Sequence, residues 1–355
     1  MTHIAEPFDL LAYVAEVDWE NRLHLAMDRV EDALFDYPAR AVDMARQLPE
    51  LFAIYPARVT AVHHLRADAL ETTALGLVSA LDEANKTMAE LLLRARQLSD
   101  LPEDLGGWLH AKYASMLIRL RRFDEAFEVI DKGLELLNLK TPEVMAARAQ
   151  LEMCHGMIYQ ARCDWMPARR HYEIAYRLVN HRDEIKGGYY RRGDITKTAA
   201  MLNLVAVTAA EESDPVELLA FLDRAKIKAR HNIRSYWGFA PYHEVATTDI
   251  IGRLQLNAKR FPEALVNLEF AARGFLRLGL RLEALDTTLY LVELEPKLQT
   301  VDQVFRTIER DRTLSDALIQ LVKDRAFVHQ PELRNKVRAE IAAIREQRGQ
   351  IRVAA

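Results

Sequence analysis

The sequence predicts an all-α solenoid, a superhelix of about six helical hairpins followed by C-terminal capping helices. Three observations lead there. Glycine (13) and proline (12) are scarce in 355 residues while Ala, Leu, Glu and Arg abound, which favours helix nearly throughout. The length is large for one compact core, yet an array whose units pack only on their neighbours reaches it undivided. Most directly, the chain repeats itself at steps of 42 to 50 residues.

The units follow in order. "YPARAVDMARQL" (37–48) and "LDEANKTMAELLLRA" (81–95) read as second helices, with Ala41 and Ala84 at the anchor position. Three better copies come next or later: "YASMLIRLRRFDEAFEVIDKGLELL" (113–137), "HGMIYQARCDWMPARRHYEIAYRLV" (155–179) and "IGRLQLNAKRFPEALVNLEFAARGF" (251–275). Each has a small residue where helices would cross (Ala114, Gly156, Gly252) and an aromatic at the turn (Phe123, Trp165, Phe261). An alanine follows (Ala126, Ala168, Ala264), then a bulky residue (Ile130, Tyr172, Leu268) and another small one (Gly133, Ala175, Ala271). Helix axes approach to about 8–10 Å only over small contact residues, which explains the pattern. The turn aromatic is expected to cover the inside of each hairpin. "FDEA" and "FPEA" start second helices, with acidic groups near the positive end of the dipole and Pro262 in the first turn.

A further unit, "DPVELLAFLDRAKIKA" (214–229), lies between the last two good copies. Beyond residue 280, three apolar-periodic segments and a polar tail have no clear repeat and read as caps. The array is assigned to 1–300 and the capping helices and tail to 301–355, with no linker between.

This pattern resembles the tetratricopeptide repeat, a helix–turn–helix unit with small residues at its crossings. The copy at 155–179 matches best, with Gly156, Tyr159, Ala168, Tyr172 and Ala175 in register, although the early tryptophan of the family is missing from all three copies. The resemblance implies that first helices line a concave face. Counting back from the anchors places Gln150, Met153, Met157 and Gln160 there, with Asn203 and Val207, and Asp249, Arg253 and Asn257. Trp108, Ser115 and Arg119 come from the helix before. Amides suit a peptide backbone because they both donate and accept, and Arg253 would engage a carboxylate or a C-terminus.

Two unusual stretches fall where the repeat step lengthens to 50 and 46 residues: "KGGYYRRGDITK" (186–197) and "RSYWGFAPYHEV" (234–245). In one reading, rings such as Trp237 and Tyr242 fill space between hairpins. In the other, Tyr189, Arg192, Trp237 and Tyr242 rim a binding groove, since Tyr, Trp and Arg dominate binding hot spots.

Composition excludes several classes. The net charge is −4; residues 1–60 hold 5 basic and 11 acidic side chains and residues 306–355 hold 11 and 7, interleaved as on a solvated helix face. That disfavours nucleic acid as a partner. Cys154 and Cys163 have no second pair, so no disulfide framework or zinc site is expected. Neither a signal peptide nor a membrane-spanning run is apparent, and a cytoplasmic location is expected. Catalytic spacings are missing: "HEVAT" (243–247) lacks the second histidine of a zincin, and adjacent His63 and His64 point apart on a helix.

The expectation is therefore a non-enzymatic, cofactor-free, metal-free adaptor or sensor that binds a protein or peptide in bacterial-type regulation. A homodimer stays open. The alternatives are a nucleic-acid-associated regulator, or a sensor arm acting on a separate enzyme or transcription factor.

Overall fold

A computed structural model describes residues 9–15, 19–78, 81–162, 164–180, 241–257 and 259–295, plus scattered helical positions within 196–207 and 299–306. Its first helices are α1 (Leu10–Ala15), α2 (Trp19–Asp36), α3 (Pro38–Ala45), α4 (Leu48–Ile54), α5 (Ala61–Val78) and α6 (Leu81–Ala95). They continue with α7 (Glu103–Arg119), α8 (Phe123–Glu135), α9 (Pro142–Ala161) and α10 (Trp165–Asn180). The last three are α11 (Pro241–Asn257), α12 (Phe261–Arg277) and α13 (Arg281–Leu294). Among the described residues there is no strand. The unit expected at 214–229, most of both unusual stretches and the tail from 307 onward lie outside the described residues.

Repeat units become helix pairs: α2 with α3, α5 with α6, α7 with α8, α9 with α10, and α11 with α12. Anchor alanines 41, 84, 126, 168 and 264 all sit on second helices and are at most 3% exposed. The crossings are as tight as the small residues imply. A β-carbon on Gly156 would meet the Tyr172 ring at 2.5 Å, and one on Gly252 would meet Leu268 at 2.7 Å. First helices also stack on one another, α7 against α9, so these neighbouring units share a buried contact.

The turns repeat in detail. Arg121 and Lys259, at equivalent positions, adopt left-handed backbone with φ of 60° and 58°. The next residue, Arg122 or Arg260, forks onto the glutamate three positions later, Glu125 or Glu263. Each pair closes the first turn of α8 or α12, where an acidic group meets the helix dipole. Helix α9 starts differently: Thr141 accepts from the Val144 N–H at 3.4 Å and Pro142 opens the first turn.

The turn aromatics meet the expectation in part: Phe123 and Trp165 are partly buried against the core of their hairpins, whereas Phe261 is not. Phe261 is 51% exposed, and Phe123 lies beneath the guanidinium groups of Arg121 and Arg162 at 5.7 and 5.6 Å.

The last described helices return to the first. Leu77 of α5 packs with Val245, Phe275 and Ala284, and α11 touches α2. At the α12–α13 turn, Gly279 has φ of 77°, a value that suits glycine. A β-carbon there would lie 3.6 Å from Val78 and 3.7 Å from Ala39. Hence α13, expected only to cap the end, packs along α12 and also reaches the N-terminal half through Glu283.

Candidate functional site

Where the two halves meet, five charged side chains form a half-buried seam on α7, α11 and α13. Asp249 and Arg253 are four residues apart on α11 and so share a face. Arg253 pairs with Asp249 at 2.5 Å and with Asp286 of α13 at 2.9 Å, and its guanidinium stacks 4.5 Å from the Tyr290 ring centroid. The Thr287 hydroxyl donates to the other Asp249 oxygen at 2.8 Å. On the same helix, Glu283 takes Arg119 from α7 at 3.0 Å. Arg119 also donates to the Gly76 carbonyl at 2.9 Å, near the end of α5 where carbonyls lack partners within the helix.

The electrostatics follow from burial and pairing. Burial pushes the Asp249 carboxyl up from its ordinary value, while Arg253 pulls it back down. Burial works against the Arg253 charge, but Asp249, Tyr290 and Asp286 together more than offset it, so it stays cationic. Among these five side chains, three carboxyl groups (Asp249, Glu283, Asp286) face two guanidiniums (Arg119, Arg253). Arg119 and Arg253 keep 14% and 24% of their side-chain surface, so the seam is mostly but not wholly buried.

The sequence-predicted residues divide accordingly. Arg119, Arg253 and Tyr242 come together at this seam. Tyr242 lies 6.5 Å from the Phe275 ring, and its hydroxyl is pushed up to about 12, by burial first and then by Glu283. The described end of the aromatic stretch is thus core packing. Arg253 is not free to take a carboxylate, because two already hold it.

Gln150 donates to Thr196 at 3.5 Å, and its Oε1 is buried without a partner. Asn203 is half-buried and donates to the Ala199 carbonyl one turn back at 3.0 Å. Gln160 serves its own hairpin, accepting from the Tyr172 hydroxyl at 2.5 Å.

Trp108 and Val207 were expected on the inner face, yet both are 0% exposed. Val207 packs on Ala168 and Tyr172, flanked by Met153 and Met157. Both positions are covered by neighbouring helices, so a register count finds the contact between units as readily as the open face. Asn257 ends α11, and its side chain lies outside the described residues, as do Tyr189, Arg192 and Trp237.

His63 and His64 do point apart: His63 bonds Thr60 at 2.8 Å, and His64 meets the Phe52 ring edge-on. Cys154 is buried, with its thiol pushed up to about 12 by burial. No described helix is long and apolar enough to cross a membrane.

Sequence reasoning missed Glu283, Asp286 and Tyr290. Their i, i+3 and i+7 spacing in "LEALDTTLY" puts them on one helical face. That was the available signal, and it had no repeat copy to be compared with.

No protein-family model matches the chain, and no curated protein does. Solved structures do resemble it. A Rap protein complexed with Competence and Sporulation Factor aligns over 95% of this chain and 99% of its own, at 12% identity and TM-score 0.52. The Rap conjugation gene regulator of plasmid pLS20, in complex with the Phr* peptide, aligns over 96% of both chains at 12% identity and TM-score 0.53. BtubC from P. vanneervenii aligns over 71% of this chain and 90% of its own, at 18% identity and TM-score 0.44. At these identities the first two likenesses speak for the fold: an all-helical repeat architecture.

Proposed function

We propose that the chain is an adaptor or sensor module that binds a peptide or an extended protein segment along its first helices and passes the event on by a change of shape. The observation that carries this is the half-buried seam of Arg119, Asp249, Arg253, Glu283 and Asp286, in which three carboxyl groups meet two guanidiniums. The fold supports it, since two solved structures of the same architecture include one with the Phr* peptide and one with Competence and Sporulation Factor.

The chemistry favours a segment that brings a positive charge to the seam, a lysine, an arginine or an N-terminal amine. Asn203 and the unpartnered Gln150 carbonyl are placed on this reading to meet the backbone of the bound segment. Tyr189, Arg192, Trp237 and Asn257 complete the proposed rim. The seam joins the two halves of the chain, so a ligand that competes for Glu283 or Asp286 would loosen Arg119 or Arg253 and change how those halves pack. Such coupling requires only that the ligand prefer one arrangement over the other. No catalytic role is part of this proposal.

The test is selection from a randomised peptide library on the purified full chain. Enrichment of basic peptides, lost with Asp286→Asn at an unchanged fold, supports the proposal. Absence of enrichment, or enrichment indifferent to the seam, refutes it.

A further inference from the structure

We propose that Glu152, His155 and His171 form a binding site for one divalent transition-metal ion of the zinc type. The three lie between α8, α9 and α10. Glu152 and His155 are three residues apart on α9 and so share a face, and His171 comes from α10. One ligand atom from each falls within 4.8 Å of the others. Zinc bonds nitrogen and carboxylate oxygen at about 2.0–2.2 Å, so gathering these atoms asks for a closure of roughly 1 Å, within side-chain rotation.

A second observation points to a ligand. His155 is only 8% exposed, and its Nδ1 is buried with no hydrogen-bond partner. A buried ring nitrogen without a partner is costly, and such groups are few in folded proteins. The other nitrogen of the same ring, Nε2, lies 3.6 Å from an Asp131 oxygen on α8. Metal-bound histidines commonly offer their second N–H to a carboxylate, which assigns Nδ1 to the metal and Nε2 to Asp131.

His171 Nδ1 lies 2.8 Å from Glu152 Oε2. A metal on Nδ1 would take the place of the proton between them, and a neutral imidazole would then carry its one N–H on Nε2. Phe127 and Tyr159 enclose the histidines, with Tyr159 stacked on His171 and Phe127 5.4 Å from His155. They hold the rings in place and limit water.

Repeat register strengthens the argument. The positions of Glu152, His155 and His171 correspond to His110, Tyr113 and Val129 in the preceding copy, and to Thr248, Ile251 and Asn267 in the later one. A hairpin of this kind therefore packs without a ligand set, and the three coincide in the α9–α10 hairpin alone among those compared. Imidazole with carboxylate suits zinc, and the same set would take cobalt or nickel as probes.

The experiment titrates chelator-treated full-length protein with Zn²⁺ by calorimetry and with Co²⁺ by visible absorption. The expected result is one equivalent bound, d–d bands with Co²⁺, and a melting temperature that rises with free Zn²⁺. His171→Ala and Glu152→Gln, both replacing partly exposed groups, should each weaken binding by about tenfold or more while the apo protein keeps its helix content. His63→Ala, remote from the site, should bind as the wild type does. Lack of binding by the wild type, or binding unchanged in His171→Ala, would overturn the proposal.

Discussion

The ring of Tyr172 occupies the space that a β-carbon on Gly156 would need: its Cε1 lies 2.5 Å from that position, and its hydroxyl donates to Gln160 of the facing helix at 2.5 Å. Glycine, ring and amide thus lock one hairpin. Gly156→Leu and Ala168→Phe should each lower stability by roughly 1–3 kcal/mol, since added volume at a crossing forces strain. Arg170→Ala, on an exposed position, should stay within about 0.5 kcal/mol. Chemical denaturation midpoints compare the three, and equal midpoints would refute the packing.

The repeated left-handed turn makes a backbone prediction. Lys259 has φ of 58°, where a β-branched residue is strained and glycine is at ease. Lys259→Val should destabilise by about 1 kcal/mol or more, whereas Lys259→Gly should be neutral or stabilising by up to about 1 kcal/mol. Thermal melts of the two variants give the sign.

Much of this was legible in the sequence because small residues at crossings and alanines at anchors recur. Ala126, Ala168 and Ala264 occupy one structural position, and equivalent residues take equivalent turns. The seam was legible only in part. Arg119, Asp249 and Arg253 could be placed on first helices by register, but their partners Glu283 and Asp286 lie on α13, where no repeat copy guides the count. Arg119 and Glu283 are 164 positions apart, and no local pattern foretells such a pairing. The same register put Trp108 and Val207 on the open face, because spacing alone does not tell a groove from a contact between units.

The seam's energetics change what Arg253 substitutions should do. Removing it takes away the guanidinium that Asp249 and Asp286 share in a largely buried setting, which typically costs about 3–5 kcal/mol. Arg253→Leu should therefore lower the melting temperature. Adding Asp249→Asn and Asp286→Asn should recover part of the loss, because the carboxylate charges that Arg253 balanced are then gone. A melting temperature unmoved by Arg253→Leu would show that the pairing contributes nothing.

Acid should weaken the fold through His110. Burial lowers its pKa, the Gly106 carbonyl opposes that shift, and Arg96 and Lys132 reinforce it. Its folded pKa thus lies below the unfolded value near about 6.5. The unfolded chain binds the proton more readily, so stability is full above that value and is lost as pH falls from it toward the folded pKa. Denaturation at pH steps between about 7.5 and 5 should show the decline, and His110→Gln should reduce its slope. An identical slope in the variant would assign the decline to other groups.

The most direct test of the central claim is a calorimetric titration of one library-selected peptide against the wild type, Asn203→Ala and Asp286→Asn, with melting temperatures recorded for all three. The account predicts that the peptide carries a basic group and that replacing that group with glutamine weakens wild-type binding. Asp286→Asn should lose about 2–5 kcal/mol of binding, Asn203→Ala should lose less, and both variants should keep their fold. Equal affinity for all three proteins, or for the peptide with and without its basic group, would contradict it.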